Sequence, residues 1–138
     1  MTKVAPINVL FVCLHGSAKS VVAAAYCRRL AAERGVRVSV ASAGVEPDAE
    51  ISPATVAGLA ADGLDLPISR PQRLTGALLA SSWPVVSLGC DLQPFGLEGA
   101  TIDWGDVPAV SDDYAAARDV IVSRVAGLLE ELASFESS

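Results

Sequence analysis

A cysteine, a histidine, a lysine and two serines share one short stretch, Cys13-Leu14-His15-Gly16-Ser17-Ala18-Lys19-Ser20. An ionised cysteine is a strong nucleophile, a lysine is a cation, and a serine hydroxyl can donate to a thiolate or cap a helix. Side by side, these groups suit attack by sulfur on a centre that carries negatively charged oxygens. The stretch follows the apolar run Ile7-Asn8-Val9-Leu10-Phe11-Val12 and precedes an alanine-rich one, which is where a strand passes into a helix. A loop that feeds a helix N-terminus aims several backbone N–H groups at one spot, and the helix dipole adds about half a positive charge there. Gly16 permits the positive φ that lets successive N–H groups converge. The expected anion site is formed by Leu14, His15, Gly16, Ser17, Ala18 and Lys19, with the thiolate of Cys13 at its rim and the hydroxyl of Ser20 in support. His15 is either a solvent-facing loop side chain or a donor and proton relay turned to the substrate.

Two anion-loop patterns compete for this stretch. The nucleotide pattern G-x-x-x-x-G-K-[ST] is met at Lys19-Ser20, but Cys13 and Ala18 stand where it requires glycines, which sets nucleotide binding aside. The other pattern is C-x5-R-[ST], the phosphate-binding loop of cysteine phosphatases.

The elements that must position such a loop can be read along the chain. Ile7 to Val12 is a continuous apolar run of the kind found in strands buried on both faces of a parallel sheet. Lys19 to Arg34 holds mostly good helix formers and stops at Gly35. Val36 to Ala43 alternates as a second strand up to Gly44, and Ser52-Pro53 opens a helix that runs to Asp62 before Gly63. Leu74 to Ser81 reads as a short helix, Pro84 to Leu88 as a third strand and Ala100 to Trp104 as a fourth. Ser111, with Asp112 and Asp113 behind it, reads as the start of the last helix, the two acids in its first turn. Within that helix Ile121, Val125, Leu128, Leu132 and Phe135 form one apolar stripe. The β-α-β-α order predicts an α/β fold, a four-stranded parallel sheet with helices on both faces, in one domain spanning residues 1–138. Ligands of such sheets sit beyond the carboxyl ends of the strands, where the Cys13 loop lies.

Composition removes several rivals. The net charge is −6 with no basic tract, so the electrostatic footprint of a nucleic-acid binder is missing. Any anion must then be held by local geometry against the field of the whole protein. The longest apolar runs are too short to span a bilayer, and no leader segment is evident, so a cytoplasmic location is expected. Three cysteines form neither a disulfide framework nor a zinc motif, and His15 beside Cys13 is too few ligands for a metal. Cys27, inside the first helix, reads as a small buried hydrophobe.

The loop and later segments resemble the low-molecular-weight protein tyrosine phosphatase and thioredoxin-coupled arsenate reductase superfamily. Cys13 matches its nucleophile and Ser20 its thiolate-stabilising serine. "VASAGVEPDAEISPATVAGLAADGLDL" is similar to the family's Ser-Ala-Gly strand end and following helix, "VVSLGCD" resembles the reductase segment carrying a second cysteine, and "DWGDVPA" resembles the segment before its Asp-Pro motif. The resemblance implies a flavodoxin-like three-layer sandwich, attack by Cys13 on phosphorus or arsenic, and protonation of the leaving oxygen by an aspartate, here Asp106. It implies a redox role for Cys90, with no bound cofactor and an external thiol (thioredoxin, mycothiol or glutathione) as reductant.

The chain departs from the family pattern in several places. Lys19 stands for an arginine whose fork would give two parallel hydrogen bonds to an oxyanion in fixed geometry. His15 and Gly16 replace a glycine and an asparagine. Asp106-Val107-Pro108 displaces the acid by one residue, Cys90 is displaced likewise, and no later cysteine completes a relay. Trp104 is expected to pack in the core and Tyr114 to line a pocket mouth. The expected function is cysteine-thiolate chemistry on arsenate or a phosphate monoester. The rival is a catalytically degenerate module that binds an oxyanion or a phosphorylated ligand.

Overall fold

The computed structural model describes residues 7–95 and 102–136. Four parallel strands, β1 (Ile7–Cys13), β2 (Val38–Gly44), β3 (Val85–Ser87) and β4 (Ile102–Asp103), form one sheet in the order β2-β1-β3-β4. With strands on either side, β1 has no polar edge to satisfy, and Val9, Leu10, Phe11 and Val12 are fully buried. The register pairs Cys13 with Gly44, so the first two strands end side by side.

Alternation along β1 divides the core. Val9, Phe11 and Cys13 face helices α1 (Lys19–Arg34) and α4 (Tyr114–Glu136), whereas Leu10 and Val12 face the opposite way. That second face is covered by Leu74, Leu79 and Leu92, from α3 (Gly76–Ala80) and flanking coil, which completes three layers. Helix α2 (Pro53–Ala61) packs outside the sheet, against Val21 and Ala25 of α1 through Leu59. Among the described residues, no helix is long and apolar enough to cross a membrane.

The stripe on α4 is core as expected: Ile121, Val125, Leu128 and Leu132 are buried, and the side chain of Phe135 lies outside those described. Several boundaries differ from the sequence reading, and four have a clear local cause or limit. Helix α4 begins at Tyr114, because Asp113 Oδ1 accepts from Ala116 N and so caps it, while the N–H groups of Asp112 and Asp113 both turn back to Ala109 O. Ser111 and Asp112 therefore belong to a turn. Helix α3 starts at Gly76, not Leu74: Thr75 caps it by accepting from Leu78 N, and Leu74 instead donates its N–H to Gly44 O. Val36 is drawn into the end of α1 by a bond to Ala31 O, which delays β2 to Val38. Strand β4 covers Ile102 and Asp103, with Ala100 and Thr101 outside the described residues.

Candidate active site

Cys13 is the last residue of β1 and Lys19 the first of α1, so the loop between them lies at the carboxyl end of the sheet. Its shape follows from where its carbonyls go. The segment after β2 donates N–H groups from Val45 to Cys13 O (3.3 Å), from Glu46 to Leu14 O (2.7 Å), from Asp48 to His15 O (3.0 Å) and from Ser52 to Ser17 O (2.9 Å). A peptide plane whose oxygen is pinned outward turns its N–H inward. Among the described residues, no backbone carbonyl accepts from the N–H groups of residues 14 to 19. Donors left without a backbone acceptor at a helix N-terminus are the arrangement that can accept an anion.

Two glycines make this shape sterically accessible. Gly16 has φ +62°, and a Cβ on Gly44 would lie 2.6 Å from Gly16 N. Backbone meets backbone at that point, so any side chain on Gly44 would push the loop off β2.

Cys13 stands at the start of this loop. Cys13 is buried at 7% exposure, and its Sγ lies 3.0 Å from Oγ of the fully buried Ser20 in the first turn of α1. A hydroxyl at that distance donates to the sulfur once the proton has left it. The Lys19 side chain is half-buried and has no hydrogen-bond or ion-pair partner among the described residues. Its Nζ stands 3.8 Å from where a Cβ on Gly89 would be, between the Cys13 loop and the segment after β3.

His15 folds over the outside of the loop. Its Nδ1 is 3.1 Å from Glu46 O and 3.5 Å from Asp48 Oδ1, and the side chain is half exposed. A carbonyl only accepts, so Nδ1 carries the hydrogen.

Cys90 sits just beyond β3. Its thiol points to Val12 O at 3.7 Å, next to Ser87 Oγ at 3.5 Å. Burial pushes the Cys90 thiol up, the Ser87 hydroxyl opposes this, and the negative charge of an ionised Cys13 adds to it. The two thiols are thus electrostatic neighbours on either side of β1. Cys27 is fully buried and pushed up to about 12 by burial, as befits a small core residue.

Asp106 lies in the loop after β4, fully on the surface. Both its carboxylate oxygens accept from Arg124 of α4 at 2.5 Å, and this guanidinium holds the carboxyl below the usual carboxylate range. Trp104 is core, its ring 5.8 Å from that of Phe11.

Tyr114 packs on α2. Its ring lies on Gly58, where a Cβ would come within 2.3 Å of it, and its hydroxyl donates to Asp62. Asp62 also accepts from Tyr26 at 2.5 Å and from Arg118 at 3.1 Å, which ties α1, α2 and α4 together. A cleft of about 500 Å³ opens over this cluster, lined by Tyr26, Asp62, Arg118, Asp119, Val122 and Ser123.

Sequence reasoning missed Asp48, Asp62 and Arg124. Their partners lie 31, 52 and 18 residues away, at Ser17, Tyr114 and Asp106, which no local pattern reveals. Gly44 carried a signal, as the glycine that ends an alternating strand.

Residues 8–90, more than half of the chain, match the family model described as "Low molecular weight phosphotyrosine protein phosphatase". Among solved structures, the chain is similar to the Corynebacterium glutamicum thioredoxin-dependent arsenate reductase, with 27% identity and a TM-score of 0.75 over 93% of this chain and 63% of that one. This chain thus spans somewhat less than two thirds of that relative. It is also similar to a low molecular weight protein tyrosine phosphatase from Bacillus subtilis, with 21% identity and a TM-score of 0.79 over 93% and 98% of the two chains. The arginine phosphatase YwlE from Geobacillus stearothermophilus matches at 24% identity and a TM-score of 0.70 over 95% and 96%. These last two likenesses bear on the fold.

Proposed function

Because this chain belongs to the low molecular weight phosphotyrosine protein phosphatase family, we propose that its Cys13 thiolate attacks the central atom of a tetrahedral oxyanion, a phosphate monoester or arsenate. One observation supports the reading: the carbonyls of Cys13, Leu14, His15 and Ser17 are bonded away from the loop, its N–H groups have no backbone acceptor among the described residues, and the Cys13 sulfur lies beside the Ser20 hydroxyl. Such donors are in place before charge develops, which is how a fixed site stabilises a transition state.

With a phosphate monoester, an S–P bond forms as the ester P–O bond breaks, and the leaving oxygen takes a proton. Water then cleaves the S–P bond and releases phosphate. With arsenate, the oxygen leaves as water from an S–As adduct. Cys90 sulfur then attacks Cys13 sulfur, so that a disulfide forms and two electrons reduce As(V) to arsenite, and an external thiol restores both thiols. Because the Cys90 thiol is pushed up by burial, it is mostly protonated at neutral pH, and this second route is slow.

Lys19 provides a mobile charge to the oxyanion in place of a bidentate fork. Asp106 is the proton donor of this scheme, and it serves only when its loop leaves Arg124, which keeps it ionised. Turnover is therefore expected to be low. That same ion pair favours a second reading, a module that binds phosphate or a phosphorylated ligand without turnover.

Alkylation of each cysteine, resolved by mass spectrometry with and without phosphate or arsenate, tests the site, and assays on p-nitrophenyl phosphate and arsenate test turnover. The proposal expects Cys13 to be the fastest thiol near neutral pH and to be protected by either oxyanion. Protection without turnover on either substrate selects the binding module. Slow, unprotected Cys13 overturns both readings.

A further inference from the structure

The Cys13 loop is held on its outer face by a single side chain as well as by backbone. Ser17 is almost fully buried, and its Oγ donates to Asp48 Oδ2 at 2.7 Å. The other carboxylate oxygen of Asp48 faces His15 Nδ1, and its backbone N–H holds His15 O. Asp48 thus grips two of the residues whose N–H groups line the anion site, from the side away from the anion. We propose that Asp48 is a positioning residue, whose carboxylate fixes Ser17 and His15 so that the loop N–H groups converge on the oxyanion. This rests on the oxyanion reading of the loop.

The physical need for such a grip is plain. Converging N–H dipoles repel one another, so an empty ring of them tends to open unless something outside it resists. The N–H groups of Val45, Glu46 and Ser52 reach backbone oxygens and the Glu46 carbonyl takes His15 Nδ1, whereas the Asp48 carboxylate is, among the described residues, the side chain that holds Ser17. Its charge works in the other direction, because a nearby carboxylate disfavours a bound anion. Asp48 is half exposed, so water and salt weaken that repulsion, whereas a hydroxyl bonded to a carboxylate keeps its strength through short contact. Geometry should therefore outweigh charge.

Three variants separate the two effects. Asp48→Ala removes both, Asp48→Asn keeps an acceptor for Ser17 without the charge, and Ser17→Ala removes the bond from its other end. Two readouts are taken on each: the rate of Cys13 alkylation at pH 7, and the concentration of inorganic phosphate that halves it. Losing a hydrogen bond to a charged group is worth about tenfold. D48A should alkylate Cys13 about tenfold more slowly and need about tenfold more phosphate, while D48N stays within about twofold of the parent on both. S17A should match D48A, and the double variant should be no worse than either single one. The proposal is overturned if D48A behaves as the parent, if D48N is impaired as much as D48A, or if the two single losses add. A parent protein that phosphate fails to protect overturns the oxyanion reading instead, and the alkylation rates still decide whether Asp48 shapes the loop.

Discussion

The Cys13 loop and the Asp62 cluster are built from similar materials and end in opposite states. Each gathers polar groups from distant parts of the chain, each includes a cation, and each is anchored on α1. In the cluster, the carboxylate of Asp62 takes the hydroxyls of Tyr26 and Tyr114 and the guanidinium of Arg118, so the donors close on one acceptor. In the loop, the carbonyls of Cys13, Leu14, His15 and Ser17 are engaged from outside, while among the described residues no backbone carbonyl takes the N–H groups of residues 14 to 19 and no partner takes the Lys19 ammonium. A satisfied network holds helices together, whereas an unsatisfied convergence of donors recruits a ligand. A cleft opens over the satisfied network, so concavity by itself does not mark an unsatisfied site.

If this distinction is right, damage to the two regions should appear in different measurements. The largest effect belongs to Cys13→Ser, which should lower turnover on whichever oxyanion is used by about a thousandfold or more and leave the unfolding midpoint nearly unchanged. Retained turnover in that variant would remove the covalent mechanism. Asp62→Ala should do the reverse. It leaves two tyrosine hydroxyls without their acceptor and the Arg118 guanidinium with Asp119 alone, at a cost of about 3 kcal/mol in chemical denaturation, with Cys13 alkylation and its phosphate protection unaltered. The same residue sets a pH signature. Burial raises the Asp62 carboxyl, but the hydrogen bonds from Tyr26 and Tyr114 and the charge of Arg118 outweigh it and hold it below the usual range. Its contribution is therefore present above the unfolded carboxyl value, about 4, and lost as pH falls through the lower folded value. Denaturation series below pH 4 should show a shallower acid loss in D62A than in the parent. A parallel curve would break the account of the cluster.

The two regions also differ in how much of each could be read from sequence. β1 was legible because burial on both faces leaves a continuous apolar run, and the α4 stripe because one helix face packs on one core. The chemical elements of the loop were legible because Cys13, Gly16, Lys19 and Ser20 lie within one local stretch. What positions them was not. Asp48 meets Ser17 across 31 residues and Arg124 meets Asp106 across 18, and neither pair leaves a periodic or local trace. Tyr114 was expected at a pocket mouth, and the sequence held no sign of what seats its ring. The bare surface of Gly58 admits its ring instead, and Asp62 takes its hydroxyl. The start of α4 slipped for a similar reason, since Ser111 and Asp113 are equally good caps in sequence and only the turn back to Ala109 decides between them.

Lys19 is where the open state of the loop can be sharpened by a single substitution. Lysine offers a point charge on a flexible stem, and arginine offers two parallel donors in a planar fork. Lys19→Arg should raise turnover about tenfold while leaving stability alone, because one more oriented bond to the transition state is added to a ring that is otherwise complete. Lys19→Met should weaken phosphate protection of Cys13 without slowing the unfolding of the protein. Tight protection in both variants with no turnover in either would mark the loop as a binding site that has lost its chemistry. No change in protection in either would mean that the ammonium is not part of the anion site.

Arg124 gives the smallest expected effect and the finest discrimination. Its pair with Asp106 is on the surface, so its loss should scarcely move the unfolding midpoint. The hydrogen bonds from Arg124 keep the Asp106 carboxyl below its ordinary range, which leaves few protonated molecules at neutral pH. Arg124→Ala returns the carboxyl toward its ordinary value, so the protonated fraction at a given pH rises. A reaction limited by proton donation from Asp106 should then run several-fold faster between pH 5 and 6, with its falling alkaline side moved upward. Superimposed pH profiles for the parent and the variant would show that the proton comes from elsewhere. Asp106 and Arg124 would then be a small closed pair like the Asp62 cluster, standing beside the open loop without serving it.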